Sequence, residues 1–217
     1  MLETPQERVR LLKAGIDCKT IEKLYLVYNN FQIVHTPILF ELDEINMKTM
    51  IRKSFPSDFE RIYEVINDAA QAYKQIIPAE YWKEPYMSRD ELRHELDEGI
   101  EMWGYEESGK LVGVMGIQHR QNVTLIRHAY VSTSRQNQGI GGKILSHLID
   151  LTTEPVLIAT WSKAIWAVRF YEKNGFKLLS REEGNQLQRK YWASPEIKIK
   201  ASVVLADEKW FEFINRK

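Results

Sequence analysis

A glycine-rich stretch, Gln138-Gly139-Ile140-Gly141-Gly142, stands between a predicted strand over residues 123–132 and a predicted helix over residues 143–151. Glycines at the start of a helix leave several backbone N–H groups open to a ligand, and the helix dipole favours negative charge there. The stretch therefore predicts a phosphate site, although a tight turn that needs glycine freedom has the same pattern. It is not a Walker loop, because Lys143 is followed by Ile144, and no parallel βαβ unit precedes it as in dinucleotide-binding folds.

Two segments together resemble the signatures of a known enzyme family. Residues 136–141, Gln-Asn-Gln-Gly-Ile-Gly, follow Tyr130-Val131 and resemble the Q/R-x-x-G-x-G/A coenzyme A loop of the GCN5-related N-acetyltransferases, the GNAT family. Residues 164–176 are similar to that family's second signature, N-x-x-A-x-x-F-Y-x-x-x-G-F. The two signatures stand in the right order and at the right distance, which makes the pair far more specific than a glycine loop alone. The resemblance covers roughly residues 50–206 and does not cover residues 1–46.

The resemblance implies a place for acetyl-CoA as co-substrate. In the family it lies where two neighbouring parallel strands separate, here residues 123–132 and 156–161. Unpaired backbone groups near Tyr130 and Val131 would bond the pantetheine arm and the acetyl carbonyl. The positions assigned to the co-substrate on this basis are Tyr130, Val131, Gln136, Asn137, Gln138, Gly139, Ile140, Gly141, Gly142, Lys143, Ala167 and Phe170.

The same resemblance assigns the phosphate contacts and the proton donor. The pyrophosphate would lie on the amides of residues 138–143, with Arg135 or Lys143 as an optional counter-charge. Tyr171 matches the tyrosine that protonates the departing thiolate. The implied reaction is direct acetyl transfer from the thioester to an amine, in a ternary complex and without a covalent enzyme intermediate.

Two positions depart from the family pattern. Ala164 stands where the second signature usually begins with asparagine, and Leu125 stands where some relatives carry a glutamate base, six residues before Val131. The general base is therefore open. The candidates are His119 and His128 near the strands, Glu80, Glu84 and Glu101 near the expected acceptor side, and water; we take His128 forward with Tyr171 as the catalytic pair.

Other kinds of catalytic site are disfavoured. Cys18 is the only cysteine and lies outside the α/β region, so the chain has neither an internal disulfide nor a cysteine-rich zinc site. No G-x-S-x-G elbow occurs, and the histidines show no metal-ligand spacing such as H-x-x-x-H. We expect no metal.

The pattern of the chain from residue 50 onward is mixed α/β. Three predicted strands, separated by short turns at Ser108-Gly109 and at residues 120–122, predict an antiparallel meander. The predicted strands are 51–55, 101–106, 110–119, 123–132, 155–161, 176–180 and 197–206, and helices are predicted after Pro56 and Ser88 and over 143–151, 164–173 and 182–192. The expected fold class is α/β (α+β): a mixed, mostly antiparallel sheet flanked by helices, with a splayed parallel strand pair as the resemblance implies.

The chain divides into three parts. Residues 1–46 are expected to form a helical hairpin, with Thr4 and Thr20 as caps, followed by an extended segment. So short a hairpin must dock on the rest of the chain or on a second copy, which makes a homodimer one candidate arrangement. A helix-turn-helix DNA reader is the alternative, but the second helix lacks a basic face. The transferase domain is 50–206, and 207–217 is expected to be a C-terminal tail.

Composition limits the partners. The chain has 217 residues with 30 Lys+Arg and 30 Asp+Glu, so no general attraction to nucleic acid is expected. No apolar stretch approaches the roughly 20 residues that span a bilayer, and the N-terminus lacks a secretory pattern, which makes the cytoplasm the expected location.

The acceptor side is rich in aromatic residues. Those expected there are Tyr73, Tyr81, Trp82, Tyr86, Trp103, Trp161 and Trp192. They favour a small or partly apolar amine over a long basic peptide, although a peptide acceptor stays open. The missing asparagine and the unassigned base keep a second function open, a non-catalytic acyl-CoA-binding regulatory or interaction module.

Overall fold

The computed structural model describes residues 49–215, which form a seven-stranded sheet between helices. The strands are β1 (Thr49–Lys53), β2 (Glu101–Glu107), β3 (Lys110–Arg120), β4 (Val123–Val131), β5 (Val156–Trp161), β6 (Lys177–Leu178) and β7 (Ser202–Ala206). Their order across the sheet is β1-β2-β3-β4-β5-β7-β6. Every neighbouring pair is antiparallel except β4 and β5, which are parallel. The predicted meander and fold class are therefore confirmed.

Seven α-helices are present among the described residues. They are α1 (Phe59–Ala70), α2 (Arg89–Asp97), α3 (Ile140–Asp150), α4 (Ile165–Lys173), α5 (Arg181–Leu187), α6 (Glu196–Ala201) and α7 (Glu208–Asn215). Short 3₁₀ turns cover Pro56–Asp58, Gln71–Tyr73 and Thr133–Arg135, and a π-helical turn over Gln188–Trp192 follows α5.

The sheet separates two hydrophobic layers because successive strand residues point to opposite faces. On β4, Ile126 packs with α3 and α4 in one cluster, whereas Leu125 packs with Leu187 and Trp210 on the other face. The helices α1 and α2 cover the remaining part of that second face through residues such as Ile62 and Leu92. The strand β4 is thus central, and its two faces carry different helices.

Of three sequence expectations in the C-terminal half, two are wrong and one is confirmed. The predicted strand 197–206 is helix α6 followed by β7, because Pro195 and Glu196 begin a helix in which Ile199 is buried and Ile197 is exposed. The predicted helix 182–192 is confirmed, as α5 followed directly by the π-helical turn. The predicted strand 176–180 is only the two residues of β6, paired with the end of β7.

The segment 207–217, expected as a tail, contains the helix α7. Asp207 accepts bonds from the N–H groups of Val156 (3.0 Å) and Trp210 (3.2 Å), and Trp210 is buried against the sheet. This packing is the reason that the segment is structured. The hairpin over residues 1–46 and the dimer it suggests lie outside the described residues and stay predictions. No helix among residues 49–215 is long and apolar enough to cross a membrane.

Candidate active site

The central parallel pair opens partway along its length. β4 and β5 pair at Thr124 with Val156, Leu125 with Leu157 and Ile126 with Ile158, and the ladder ends there. Beyond this point β5 continues to Trp161 with β7 as its partner, while β4 continues to Val131 with β3. The facing edges of the two strands are therefore free to bond an extended ligand in the gap.

A bulge lies in β4 beside this gap. Val114 pairs with Tyr130 and Gly116 with Arg127, so that Met115 of β3 faces two β4 residues, His128 and Ala129. His128 has a φ of 47°, a left-handed conformation that is uncommon for residues other than glycine. Bulges and left-handed residues of this kind concentrate at functional sites, where they re-aim side chains.

The glycine loop forms an open helix N-terminus. Helix α3 begins at Ile140, three residues earlier than the sequence predicts, with Gly139 as its left-handed N-cap at φ 77°. A side chain added at Gly139 would meet nothing within 4 Å, so the approach to the amides is clear. The N–H of Lys143 bonds the Gly139 carbonyl at 3.1 Å, whereas the amides of the first turn before it have no acceptor in the helix.

The glycine loop is fitted closely to its neighbours. An added side chain at Gly141 would lie 3.3 Å from the ring of Phe170 on α4, which shows how near the two helices pass. Gln136 donates to the Val131 carbonyl at 3.1 Å and ties the loop to the end of β4. Asn137, like Gly139, is left-handed, at φ 61°. These contacts fix the direction of the free amides.

The two cations expected beside the loop have other partners. Arg135 pairs with Glu107 of β2 at 2.7 Å, and the Lys143 ammonium lies 5.4 Å from the centre of the Tyr105 ring. An anion at the loop would therefore be bound by backbone N–H groups rather than by the side chain of Arg135 or Lys143.

Helix α4 places Tyr171 at the floor of the gap. Its ring packs against Phe170 and Phe176, with centroid distances of 5.0 and 6.1 Å, and the residue is only 7% exposed. Burial, with a smaller contribution from Tyr73, raises the pKa of the Tyr171 phenol well above its usual value, so it is protonated at neutral pH. Ala164 and Ala167 are buried in the same core cluster, and Ala164 brings no polar group to the start of the helix.

A cavity of about 320 Å³ joins these elements. Both strands at the gap contribute to it, as do Tyr171, α2 and the segment from the π-helical turn to α6. The residues of its wall are Tyr73, Tyr81, Lys83, Tyr86, Met87, Glu91, Glu95, Ile126, Arg127, His128, Ala129, Tyr130, Ala159, Thr160, Trp161, Tyr171, Gln188, Trp192, Ser194, Pro195, Ile197, Lys198 and Ser202. The strand gap, the tyrosine and a partly aromatic chamber thus form one site.

Three tyrosines form one side of this cavity. The Tyr130 ring lies 6.4 Å from both the Tyr73 and the Tyr86 ring, with edge-to-face geometry in each case. Burial, with a smaller contribution from Tyr86 and against the opposing effect of Thr160, raises the pKa of Tyr73 to about 12. Burial also raises the pKa of Tyr130, so both phenols are protonated at neutral pH.

The opposite side carries a charged group that the sequence did not indicate. Arg127 donates to Glu95 Oε2 at 2.5 Å, and His128 Nε2 lies 3.5 Å from the same oxygen. Burial alone would raise the pKa of Glu95, but the His128 contact and the Arg127 charge outweigh it and lower the pKa to about 2. Burial lowers the pKa of the His128 imidazole despite the opposing effect of Glu95. At neutral pH the pair is a carboxylate beside a neutral imidazole.

The other candidate bases lie elsewhere. His119 Nδ1 is 3.1 Å from the Thr124 hydroxyl, Glu84 is held on the surface by Trp82 and Gln71, and Glu101 pairs with Lys53. Glu80 is exposed and does not line the cavity, and Leu125 is packed in the core. Of the histidines and glutamates named from the sequence, His128 is the one in the cavity wall. No cluster of possible metal ligands occurs among residues 49–215.

Comparison with known proteins agrees with this geometry. The family model described as an acetyltransferase (GNAT) domain matches residues 65–187. No curated protein matches the chain in sequence.

Solved structures share the fold. The PaiA N-acetyltransferase from Thermoplasma acidophilum, solved in complex with coenzyme A, superposes with a TM-score of 0.57 at 19% identity, over 73% of this chain and 98% of that one. A GNAT-family acetyltransferase from Staphylococcus aureus gives 0.55 at 20% identity, over 74% and 99% of the two chains. The ribosomal-protein-S18-alanine N-acetyltransferase from Escherichia coli gives 0.53 at 16% identity, over 73% and 92%.

The family match spans more than half of the chain, and it includes the strand gap, the glycine loop and Tyr171. The enzyme class and the acyl donor expected from the sequence, an N-acetyltransferase that uses acetyl-CoA, follow from it. The chain belongs to the GNAT acetyltransferase family.

Proposed function

We propose that this protein transfers an acetyl group from acetyl-CoA directly to the amine of a small molecule. The observation that carries the proposal is the shared cavity: His128 and Tyr171, a neutral base and a protonated acid, line the same chamber where β4 and β5 separate. An amine held there would lie between the two proton-transfer groups and beside the strand edge that receives the thioester.

Binding of the co-substrate uses backbone groups. The free amides at the start of α3 suit the pyrophosphate, since they are fixed donors at the positive end of a helix dipole. The free edge of β4 near Tyr130 and Val131 suits the amide groups of the pantetheine arm, and Phe170 and Ala167 of α4 pack in the same core cluster as Val131. The residues present thus fit acetyl-CoA without a charged phosphate clamp.

Proton transfer begins with the acceptor. The amine binds as an ammonium ion and gives one proton to the neutral imidazole of His128, which leaves a lone pair on nitrogen. The lone pair attacks the thioester carbon, and the C–N bond forms. In this proposal a backbone N–H at the β4 edge stabilises the oxyanion, and positioning of the amine against the thioester supplies much of the rate gain.

Collapse of the tetrahedral adduct breaks the C–S bond. Tyr171 donates its phenolic proton to the leaving thiolate, and the nitrogen of the adduct returns a proton to the tyrosinate as the amide forms. The products are the N-acetyl amine, coenzyme A and one proton, which leaves from His128 to solvent. No covalent bond to the protein is needed.

The chamber favours a small acceptor. A volume of about 320 Å³ is at the lower end of the usual range for small-molecule sites, and Tyr81, Tyr86 and Trp192 give it apolar walls. A peptide that inserts only its N-terminal amine is the second acceptor class compatible with this space.

The test combines binding with turnover. Titration calorimetry with coenzyme A and acetyl-CoA measures the binding step, and release of free thiol with a panel of small amines and short peptides measures transfer. We expect both coenzyme forms to bind and at least one small amine to release thiol faster than any peptide. Binding of both forms without transfer to any acceptor would overturn the proposal in favour of an acyl-CoA-binding module.

A further inference from the structure

The bulge in β4 directs two consecutive side chains onto one carboxylate. Side chains of neighbouring strand residues normally point to opposite faces, but the extra residue opposite Met115 brings both Arg127 and His128 to Glu95 of α2. We propose that Glu95 is a positioning residue: it holds His128 with Nε2–H toward the carboxylate, so that the basic Nδ1 faces the cavity. This inference rests on the proposed function, in which His128 is the base.

One oxygen makes both contacts. Glu95 Oε2 accepts from Arg127 Nη2 at 2.5 Å and lies 3.5 Å from His128 Nε2. His128 Nε2 is buried and forms no hydrogen bond among the described residues, so the 3.5 Å approach to Glu95 is a charge contact rather than a formed hydrogen bond. A neutral imidazole that faces a carboxylate through Nε2 carries its proton there, since the reverse tautomer would set a lone pair against negative charge.

The position of the Glu95 carboxylate is fixed by a chain of hydrogen bonds that runs through Arg127. Arg127 Nη1 donates to the side-chain oxygen of Gln118 at 2.7 Å, and the Gln118 amide donates to the Glu98 carbonyl at 3.0 Å. Gln118 is 2% exposed, so this chain of bonds runs through the interior between β3 and the end of α2. Glu95 therefore has a defined place rather than the freedom of a surface side chain.

The imidazole is fixed as well. Its side chain is 11% exposed, and its backbone is held left-handed at φ 47° by the bulge. Nε2 is among the buried atoms, and the residue lines the cavity, so the small exposed fraction of the side chain excludes this nitrogen. A ring held in this way presents one nitrogen to Glu95 and the other to a bound amine.

Charges from three elements act on His128. Glu95 of α2 stabilises the protonated ring, whereas Arg127 of β4 and Lys198 of α6 oppose it, and burial opposes it most. Tyr171 of α4, also in the cavity wall, is neutral at neutral pH. Replacement of Glu95 by glutamine removes the only stabilising charge of this set. The pKa of His128 should then fall further, and the acid limb of the kcat profile should move to lower pH.

The test uses Glu95→Gln with Glu98→Gln as the matched control. Glu98 is at the end of the same helix, and its carboxylate lies 3.5 Å from exposed Arg120 outside the cavity. For Glu95→Gln we expect kcat to fall about 10-fold, which is less than the roughly 10²-fold loss expected when a general base is removed. We also expect the acid limb of the kcat profile to move to lower pH. Glu98→Gln should change neither. A Glu95→Gln enzyme that loses only stability, with the limb in place, would overturn the positioning role.

A measurement without turnover separates this inference from the proposed function. Imidazole nitrogen NMR of the unmodified protein, with the His128 signal assigned by His128→Asn, reports which ring nitrogen carries the proton. We expect His128 to be mainly the Nε2–H tautomer in the unmodified protein and in Glu95→Asp. In Glu95→Gln we expect this tautomer no longer to be the main one. The Nδ1–H tautomer in the unmodified protein would overturn the inference even if acetyl transfer is found, and absence of transfer with the Nε2–H tautomer present would count against the proposed function alone.

Discussion

Ile126 of β4 and Ile158 of β5 form the last pair of the parallel ladder, and the two strands diverge beyond it. Within three residues β4 makes its bulge, and the bulge aims His128 into a cavity that Tyr171 reaches from the helix after β5. The proposed base, the proposed acid and the proposed thioester edge therefore meet beside one local change in strand pairing.

Gly139→Ala should weaken the binding of coenzyme A and acetyl-CoA alike. An alanine at φ 77° is strained by about 1–2 kcal/mol, and relief of that strain would turn the amides at the start of α3. When binding requires the strained backbone at residue 139, the strain energy is lost from the binding energy. The dissociation constant of the coenzyme then rises about 10-fold, since 1.4 kcal/mol corresponds to that factor. Calorimetric titration measures it.

Gly109→Ala is the matched control for this change. Gly109 is in the β2–β3 turn at φ 79°, and like Gly139 it has nothing within 4 Å of an added side chain. It should lose similar stability and bind both coenzyme forms normally. Equal loss of binding in the two variants would show that the free amides at the start of α3 do not bind the coenzyme.

Tyr171→Phe should lower kcat by about 10²- to 10⁴-fold and leave acetyl-CoA affinity nearly unchanged. The hydroxyl is the only group removed, and the ring contacts with Phe170 and Phe176 can persist. Steady-state thiol release gives kcat, and calorimetry gives the affinity.

Tyr191→Phe controls for the loss of a buried hydroxyl. Tyr191 is 5% exposed, bonds Asn122 at 2.9 Å and is not part of the cavity wall. It should lose about 1 kcal/mol of stability and retain kcat. A Tyr171→Phe enzyme as active as this control would assign thiolate protonation to another group.

Arg52→Met should destabilise the fold at neutral pH and flatten its acid sensitivity. Arg52 bonds Asp58 at 2.7 Å and Glu106 at 2.6 Å, and all three side chains are mostly buried. The hydrogen bond from Arg52 lowers the pKa of Asp58 below its ordinary value. Stability from this pair is therefore complete above the ordinary pKa of a free aspartate and is lost as the pH falls through the lower folded value.

Urea unfolding at neutral and acidic pH measures this effect, with Lys53→Met as the control. The Lys53–Glu101 pair at 2.6 Å is about half exposed, and such pairs contribute little. We expect Arg52→Met to lose about 3–5 kcal/mol at pH 7 and Lys53→Met less than 1 kcal/mol. A variant as stable as the parent at neutral pH would contradict the role of Arg52.

The parts of the fold that sequence predicts well are those bounded by clear turn signals. The meander strands are apolar-rich segments, and the turns at Ser108-Gly109 and Asn122 mark their ends, so β2, β3 and β4 are all found. The glycine loop and Tyr171 are singled out because residues 136–141 and 164–176 resemble two signatures of the GNAT family. By contrast, Ile197-Lys198-Ile199-Lys200 alternates like a strand, yet only Ile199 is buried and the segment is helical.

The polar half of the site depends on tertiary geometry. Glu95 follows Leu92 by three residues, which places it toward the buried side of α2, but a single glutamate there is indistinguishable from a solvated edge. Glu95 becomes a candidate functional residue only because the bulge in β4 brings both Arg127 and His128 to its carboxylate. The resemblance also offers Arg135 or Lys143 as an optional counter-charge for the phosphates, whereas the folded chain pairs Arg135 with Glu107 of β2, which is distant in sequence.

The most direct test of direct transfer is intact-protein mass spectrometry with isotopically labelled acetyl-CoA, before and after addition of an active amine. The account predicts an unmodified protein mass at both stages and label only in the acetylated amine. A protein that gains one acetyl group before the amine is added, and loses it to the amine afterwards, would contradict the account, because the acetyl group would then pass through a covalent enzyme intermediate.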